Sequence, residues 1–226
     1  KYVLILLDDI NYYESVEDQL DEDLIESLVT LSIGTNPRSI KRLINSLSLI
    51  KILNDTKNES SAGGGSAINN ADVATVMLAM VCLQIANSDI YDMLVAEPTF
   101  VDSWNEDFAY KLTQKKETND PSWDENFKQA ITSEDFNEPW EQCLYRVCYV
   151  NPRQRPNATK YSRLLSELRD KYKDLKEFEK NLSIALKETA VTAISATDKP
   201  NVRPPKGSFK PHFNVGYDDW IERKKE

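Results

Sequence analysis

The sequence predicts an all-α protein. Apolar residues recur at spacings of three and four over long segments, and almost no segment alternates apolar and polar residues as a half-buried strand does. Six glycines and ten prolines are few for 226 residues, so long helices need not be interrupted often. Hydrophobic residues make up 40% of the chain, which is enough to fill a core. We therefore expect a bundle of helices.

Three helices are predicted within the first 55 residues. The first covers residues 2 to 10, whose apolar positions should pack against later helices. Asp21 is suited to cap the second helix, because its carboxylate accepts from N–H groups that lack an intrahelical partner. Gly34 is suited to end that helix, because glycine adopts the left-handed conformation of many helix ends. The third helix follows at once and is expected to run to about Asp55.

The start of the third helix is the candidate site. Asn36 can cap it through its side-chain oxygen, and Pro37 fits the first helical position, whose N–H would lack a partner anyway. The first two turns then carry three cations, Arg38, Lys41 and Arg42. Cations at a helix N-terminus oppose the helix dipole by about 0.3–1 kcal/mol each, so this placement indicates that an anion binds nearby.

The other face of this helix is apolar and is predicted to be buried. Its members are Ile40, Leu43, Ile44, Leu47 and Ile50. A second interpretation gives the cations no ligand: they extend into water, or they pair with the acidic run between Glu14 and Glu26.

Residues 56 to 70 have the glycine- and serine-rich composition of a flexible linker. A phosphate-binding glycine loop is not supported, because no Lys-Ser or Lys-Thr follows the glycines and no strand precedes them. Residues 70 to 96 are apolar nearly all round, which predicts the central buried helix.

Aromatic residues stand at helical spacing between residues 100 and 140, among aspartate and glutamate, and predict short helices with aromatic side chains in the core. The scarcity of lysine and arginine there, and the net charge of −9, argue against a nucleic-acid surface. Residues 158 to 196 are predicted to form one long helix, followed from residue 198 by an extended proline-rich tail. The apolar seam of this long helix consists of Tyr161, Leu165, Leu168, Tyr172 and Leu175. An exposed seam would join two copies, whereas a buried one would pack on the chain's own body.

Three cysteines in apolar helical contexts, Cys82, Cys143 and Cys148, are typical of reduced core thiols and predict a cytosolic protein. No apolar run reaches the roughly 20 residues that span a bilayer, so no membrane partner is expected. His212 is the only histidine and has no ligand-like neighbours in sequence, so neither a metal site nor a catalytic triad is predicted.

Residues 34 to 45, Gly-Thr-Asn-Pro-Arg-Ser-Ile-Lys-Arg-Leu-Ile-Asn, resemble a segment of the helical lid in KAP-like P-loop ATPases, relatives of the AAA+ class. The resemblance extends with less specificity over residues 1 to 110. It implies that Arg38 holds the position of the sensor-2 arginine, which reaches the γ-phosphate of ATP, with Asn36 and Arg42 beside it. It also implies that ATP and Mg²⁺ bind to an upstream core of a parent protein.

The resemblance implies a lid-like domain over residues 1 to 110 and a second helical part over residues 111 to 226. The phosphate-binding loop, magnesium carboxylate and water-positioning group that ATP hydrolysis requires have no motif in the sequence. The chain itself is therefore expected to be inactive and to hold no cofactor. Its parent chain is expected to be an ATPase, and the ATPase core of that parent is the expected partner. Because the chain begins with lysine, it is expected to be a piece of that parent. The alternative function is a helical protein interaction module unrelated to nucleotides.

Overall fold

The computed structural model describes residues 1–13, 21–60, 70–113, 123–133 and 136–192. The described residues form eleven α-helices and no strand, which confirms the all-α fold class. The helices are α1 (Tyr2–Asp9), α2 (Glu22–Ser32), α3 (Pro37–Ser60), α4 (Ala71–Ala86), α5 (Ser88–Ala96), α6 (Phe100–Ser103), α7 (Glu106–Thr113), α8 (Trp123–Ser133), α9 (Pro139–Val150), α10 (Ala158–Asp170) and α11 (Leu175–Thr189).

Helices α2 and α3 begin where their caps predict. Asp21 Oδ1 accepts from the Leu24 N–H at 2.9 Å, and Asn36 Oδ1 accepts from the Arg38 N–H at 3.0 Å. Between α2 and α3, Gly34 has a φ of 61°, the left-handed conformation that glycine adopts without a steric penalty. Helix α3 continues beyond the predicted end at Asp55 to Ser60, so the predicted linker at 56 to 70 is helical in its first part. Residues 61–69 of that linker lie outside the described residues.

Helix α4 is the centre of the fold. Every residue from Val73 to Leu83 is buried, and α4 contacts α2, α3, α5 and α11. The buried central helix is thus confirmed, but its predicted length over 70 to 96 is wrong. Asn87 divides the segment because its Oδ1 accepts from the N–H groups of Asp89 at 3.1 Å and Ile90 at 3.4 Å. This side chain caps a new helix, α5, instead of continuing the old one.

The single long helix predicted over 158 to 196 is also wrong. Helix α10 ends at Asp170, and α11 begins after Asp174, whose Oδ1 accepts from the Lys176 N–H at 3.0 Å. A short 3-10 turn, Ala190–Thr192, follows α11. The cap at Asp174 supplies the local reason for the break, since its φ of −121° is extended and not helical.

The apolar seam of that segment faces the chain itself. Tyr161, Leu165 and Leu168 are at most 2% exposed, because α10 packs against α2 and α9. Tyr172 and Leu175 are partly buried against the same core. The seam is therefore core and not an exposed surface, while association of two copies of the chain stays a prediction.

The described helices form one compact unit that extends from residue 1 to residue 193. The expected division near residue 110 does not coincide with a gap in packing, because α11 lies along α4. Gln84 in α4 donates to the Thr189 carbonyl at 2.9 Å, and Tyr91 in α5 contacts the Thr189 hydroxyl at 3.1 Å. The predicted tail from residue 198 lies outside the described residues.

Aromatic residues fill the contacts among α6, α9 and α11. The Phe100 ring lies 5.0 Å from the Trp140 ring and 6.0 Å from the Phe178 ring, both edge-on, and 5.5 Å from Trp104. All four side chains are at most 1% exposed. The predicted burial is thereby confirmed for Phe100, Trp104 and Trp140, but it is wrong for Tyr110, which is 47% exposed. Edge-on pairs add about 0.5–1.5 kcal/mol each beyond the burial of their area.

All three cysteines are buried free thiols, as predicted. Burial raises the pKa of each thiol to about 12, so each is protonated at neutral pH. Among the described helices, none combines the length and the apolar composition needed to cross a bilayer.

Candidate functional site

The three predicted site residues lie together at the start of α3. Asn36 supplies the cap, while Arg38, Lys41 and Arg42 are exposed. Arg38 and Arg42 are one helical turn apart, so their side chains project from the same face. That face is held in place by the opposite one, where Ile40, Leu43, Leu47 and Ile50 are buried in the core.

The helix end itself has limited capacity for an anion. Pro37 has no N–H, and the Arg38 N–H is already bonded to Asn36. Binding of an anion here would therefore depend mainly on the two guanidinium groups, each with five donors in a planar fork that matches phosphate oxygens.

The alternative interpretation, in which the cations pair with the acidic run between Glu14 and Glu26, can be examined for the described part of that run. In the described portion of the acidic run, residues 21–26, no carboxylate forms an ion pair with Arg38 or Arg42, and Glu26 pairs with the amino group of Lys1. Residues 14–20 of the run lie outside the described residues.

A pocket of about 280 Å³ lies beside the candidate site. Its walls come from the start of α1, the end of α2 and the turn into α3, and include Val29, Gly34, Pro37 and Ile40. The arginines do not line it. The pocket and the cationic face thus lie on different sides of the start of α3. Lys1 is the one cationic residue among the described residues that line the pocket.

The Asn-Pro-Arg sequence occurs twice and forms the same local turn both times. Asn151 Oδ1 accepts from the Arg153 N–H at 3.1 Å, as Asn36 Oδ1 does from Arg38. Arg153 is exposed, but the chain continues into a 3-10 turn at Arg155–Asn157 and not into a long helix. The Asn-Pro-Arg tripeptide therefore determines the turn at both places. Only at Arg38 does a long helix follow directly and place further cations beside the arginine.

A second pocket, of about 470 Å³, was not predicted from the sequence. It lies among α7, α8 and α9 and contains the side chain of Arg146. Arg146 is 6% exposed, and its guanidinium carbon lies 5.5 Å from the centre of the Tyr110 ring and 5.2 Å from that of Phe127. Its Nε donates to Thr113 Oγ1 at 3.4 Å.

One signal in the sequence could have indicated this pocket. Arg146 stands in the middle of Cys-Leu-Tyr-Arg-Val-Cys-Tyr-Val, a run whose other members are apolar or aromatic and buried or nearly so in α9. An arginine inside such a run must be buried or must distort the helix, and a buried arginine needs partners.

The thiol in the larger pocket is not activated as a nucleophile. Cys143 lines the larger pocket, but burial raises its pKa to about 12 despite the opposing effect of Arg146. A protonated thiol is a poor nucleophile. In the described part of the chain, no three His, Cys, Asp or Glu residues are grouped so that they could hold a metal ion. The chemistry that the two sites offer is recognition of negatively charged groups.

Comparison with known proteins gave no match: no family model, no curated protein and no solved structure resembles this chain at a significant level.

Proposed function

We propose that this chain is the helical lid of a P-loop ATPase and that it couples the state of a bound nucleotide to the position of its helices. The observation that supports the proposal is the exposed Arg38–Arg42 face at the start of α3. This face lies within an Asn-Pro-Arg-Ser-Ile-Lys-Arg sequence that resembles the lids of KAP-like ATPases. Asn36 fixes the turn that precedes the two arginines.

In this proposal the parent protein supplies the nucleotide site, with ATP and Mg²⁺ held by its upstream core. Arg38 donates to the γ-phosphate, and Arg42, one turn later, adds a second cation to the same face. Because α3 packs on the central helix α4, a movement of Arg38 toward the phosphate would be accompanied by a movement of the helix bundle. Loss of the γ-phosphate would release that contact.

The first test is the gene upstream of this chain. A strand followed by Gly-x-x-x-x-Gly-Lys-(Ser/Thr) is expected there, because the Lys and the backbone N–H groups of that loop are needed to hold the phosphates. If the upstream sequence contains no such loop, the ATPase proposal fails and the helical interaction module becomes the better account. Tyr161, Leu165 and Leu168 of the α10 seam are buried, so such a module would bind its partner through another surface.

The second test is the Arg38→Ala variant in the protein that carries the core. We expect ATP turnover to fall about 100-fold, because removal of one donor to transition-state charge has effects of that size. The helical circular dichroism should not change, since Arg38 is exposed and pairs with none of the described carboxylates.

The matched control is Arg153→Ala, which removes an exposed arginine from the same Asn-Pro-Arg turn elsewhere in the chain. Its turnover should equal that of the wild type. Equal turnover of the Arg38→Ala and Arg153→Ala proteins would contradict the role of Arg38. The chain without its core is expected not to hydrolyse ATP.

A further inference from the structure

The outer face of α3 carries cations at one end and apolar side chains at the other. It is formed by five exposed side chains, those of Lys41, Arg42, Asn45, Leu49 and Ile52. After the two cations, successive members are three or four residues apart, so all five project from one side of the helix. At 1.5 Å per residue, the face is about 17 Å long from Lys41 to Ile52.

Leu49 and Ile52 give this face two large apolar groups in contact with water. Leu49 is 44% exposed and Ile52 is 61% exposed, and they are one helical turn apart. A single exposed apolar side chain is ordinary on a protein surface, but a pair on one helix face can be covered together by a partner. The face is held in place because the opposite side of α3 is buried, with Leu43, Leu47 and Ile50 at most 1% exposed.

The charges along α3 determine which partner fits this face. Among the described residues, no carboxylate forms an ion pair with Lys41 or Arg42. Asp55, three residues beyond Ile52, is also exposed and places a negative charge at the other end. Complementary charge therefore requires carboxylates opposite the two cations and none opposite Asp55.

We propose that the outer face of α3 binds an acidic amphipathic helix of a partner protein. Apolar side chains of that helix would cover Leu49 and Ile52, and its carboxylates would pair with Lys41 and Arg42. A helix fits this face because side chains at spacings of three and four residues on both helices interdigitate. The proposal does not rest on the ATPase assignment, since it requires neither Arg38 nor a nucleotide.

The test is a nuclear magnetic resonance titration of the whole chain with a synthetic helical peptide, at concentrations where the peptide alone is monomeric. The peptide has about 20 residues, which is long enough for a helix in water, with leucines along one face and glutamates at one end of that face. Saturable shifts are expected in α3 from Lys41 to Ile52, with a Kd on the order of 100 μM, because a face of this size makes a small interface. A second peptide, with lysine in place of each glutamate, should bind at least about tenfold more weakly.

A matched pair of variants tests the apolar end of the face. Ile52→Glu should weaken binding of the glutamate peptide at least about tenfold, because a charge then stands where an apolar side chain should be covered. The control is Val95→Glu, which adds the same charge at an apolar position of α5 that is 50% exposed. It should bind the peptide as the wild type does. Both positions are exposed, so both variants should keep the helical circular dichroism of the wild type.

An exchange of charges tests the cationic end. The Lys41→Glu, Arg42→Glu protein should bind the lysine peptide more tightly than the glutamate peptide, which reverses the order found for the wild type. The control is Lys160→Glu, at an exposed lysine of α10. It should keep the wild-type order, because its charge lies on another helix.

Three results of the titrations would overturn the proposal: no saturable shift in α3 with the glutamate peptide, equal affinities of Ile52→Glu and Val95→Glu, or an unchanged order of the two peptides after the charge exchange. Sedimentation of the chain without peptide tests a second copy as the occupant. A wild type that self-associates, and becomes a monomer in Ile52→Glu but not in Val95→Glu, would show that the face joins two copies and would likewise overturn the proposal.

Discussion

Burial determines the protonation state of the three cysteine side chains. Cys82, Cys143 and Cys148 are buried in three different parts of the core, and burial raises the pKa of each thiol to about 12. Arg146 lowers the pKa of Cys143 but does not outweigh the loss of hydration. The cysteines therefore act as small apolar groups and contribute to packing, not to chemistry.

These raised pKa values predict a loss of stability in alkali. The unfolded thiols ionise near pH 9.0 and the folded ones near pH 12, so the unfolded state releases protons first. The stabilisation is complete below about pH 9 and is lost progressively as the pH rises toward 12. The free energy of unfolding in urea should thus fall between pH 9 and pH 12.

A Cys143→Ala variant should show a smaller fall over the same pH range, although its stability at pH 7 is lower because a buried group is missing. Thiol labelling gives an independent measurement: the native protein at pH 8 should react far more slowly than the unfolded protein. Rapid labelling of all three cysteines in the native protein would contradict their burial.

At the scale of helices, caps decide where each element begins and packing decides what each face contacts. Asn87 and Asp174 each stop one apolar-periodic segment and start another helix. The seam of α10 then lies against α2 and α9 within the same chain. Helical periodicity was therefore a correct guide to the buried face but not to the partner of that face.

The buried seam predicts the outcome of a charge substitution. Leu165→Glu with Leu168→Glu should abolish cooperative thermal unfolding, because loss of the leucine packing alone costs about 2–5 kcal/mol for each residue. The control is Lys160→Glu at an exposed position of α10, which should unfold much as the wild type does. If sedimentation showed instead that the double variant is a folded monomer derived from an oligomeric wild type, the seam would be an interface between copies.

At the scale of the whole molecule, the described helices depend on one another across the full length of the unit. Helix α11 packs along α4, its residues Phe178, Leu182 and Leu186 are buried, and its Thr189 carbonyl accepts from Gln84 of α4 at 2.9 Å. Tyr172, near the end of α10, donates to the Asp72 carbonyl at 3.3 Å, and Lys171 pairs with the Asp72 carboxylate at 2.8 Å. The described helices of residues 1–110 are thus completed by those of residues 136–192.

This dependence predicts that residues 1–110 do not fold alone. Removal of α9, α10 and α11 exposes large apolar side chains of α4 and α2, and each costs roughly 1.5–3 kcal/mol. A few such losses exceed the stability of about 5–15 kcal/mol of an ordinary domain. Spectra of the 1–110 fragment should show poor amide dispersion and no cooperative unfolding, whereas the 1–193 fragment should resemble the full chain. A well-folded 1–110 fragment would establish the predicted domain boundary instead.

The sequence by itself determined the helical class, the buried stripe of α3, the caps at Asp21 and Asn36, and the burial of Phe100, Trp104 and Trp140. These features depend on side chains within a few residues of each other, so they are present in the local pattern. The exposed cationic face of α3 belongs to the same group, since an apolar stripe on one side places Arg38 and Arg42 on the other.

Only the tertiary structure decided what covers the α10 seam and where Arg146 lies. The breaks at Asn87 and Asp174 have a local cause in their capping side chains, but apolar periodicity by itself is compatible with one helix or two. The contact of α4 with α11 joins Gln84 to Thr189, which are 105 residues apart, and no local pattern specifies such a pair. The Arg146 pocket likewise requires three helices to meet, because its aromatic walls come from α7 and α8 while the cation comes from α9.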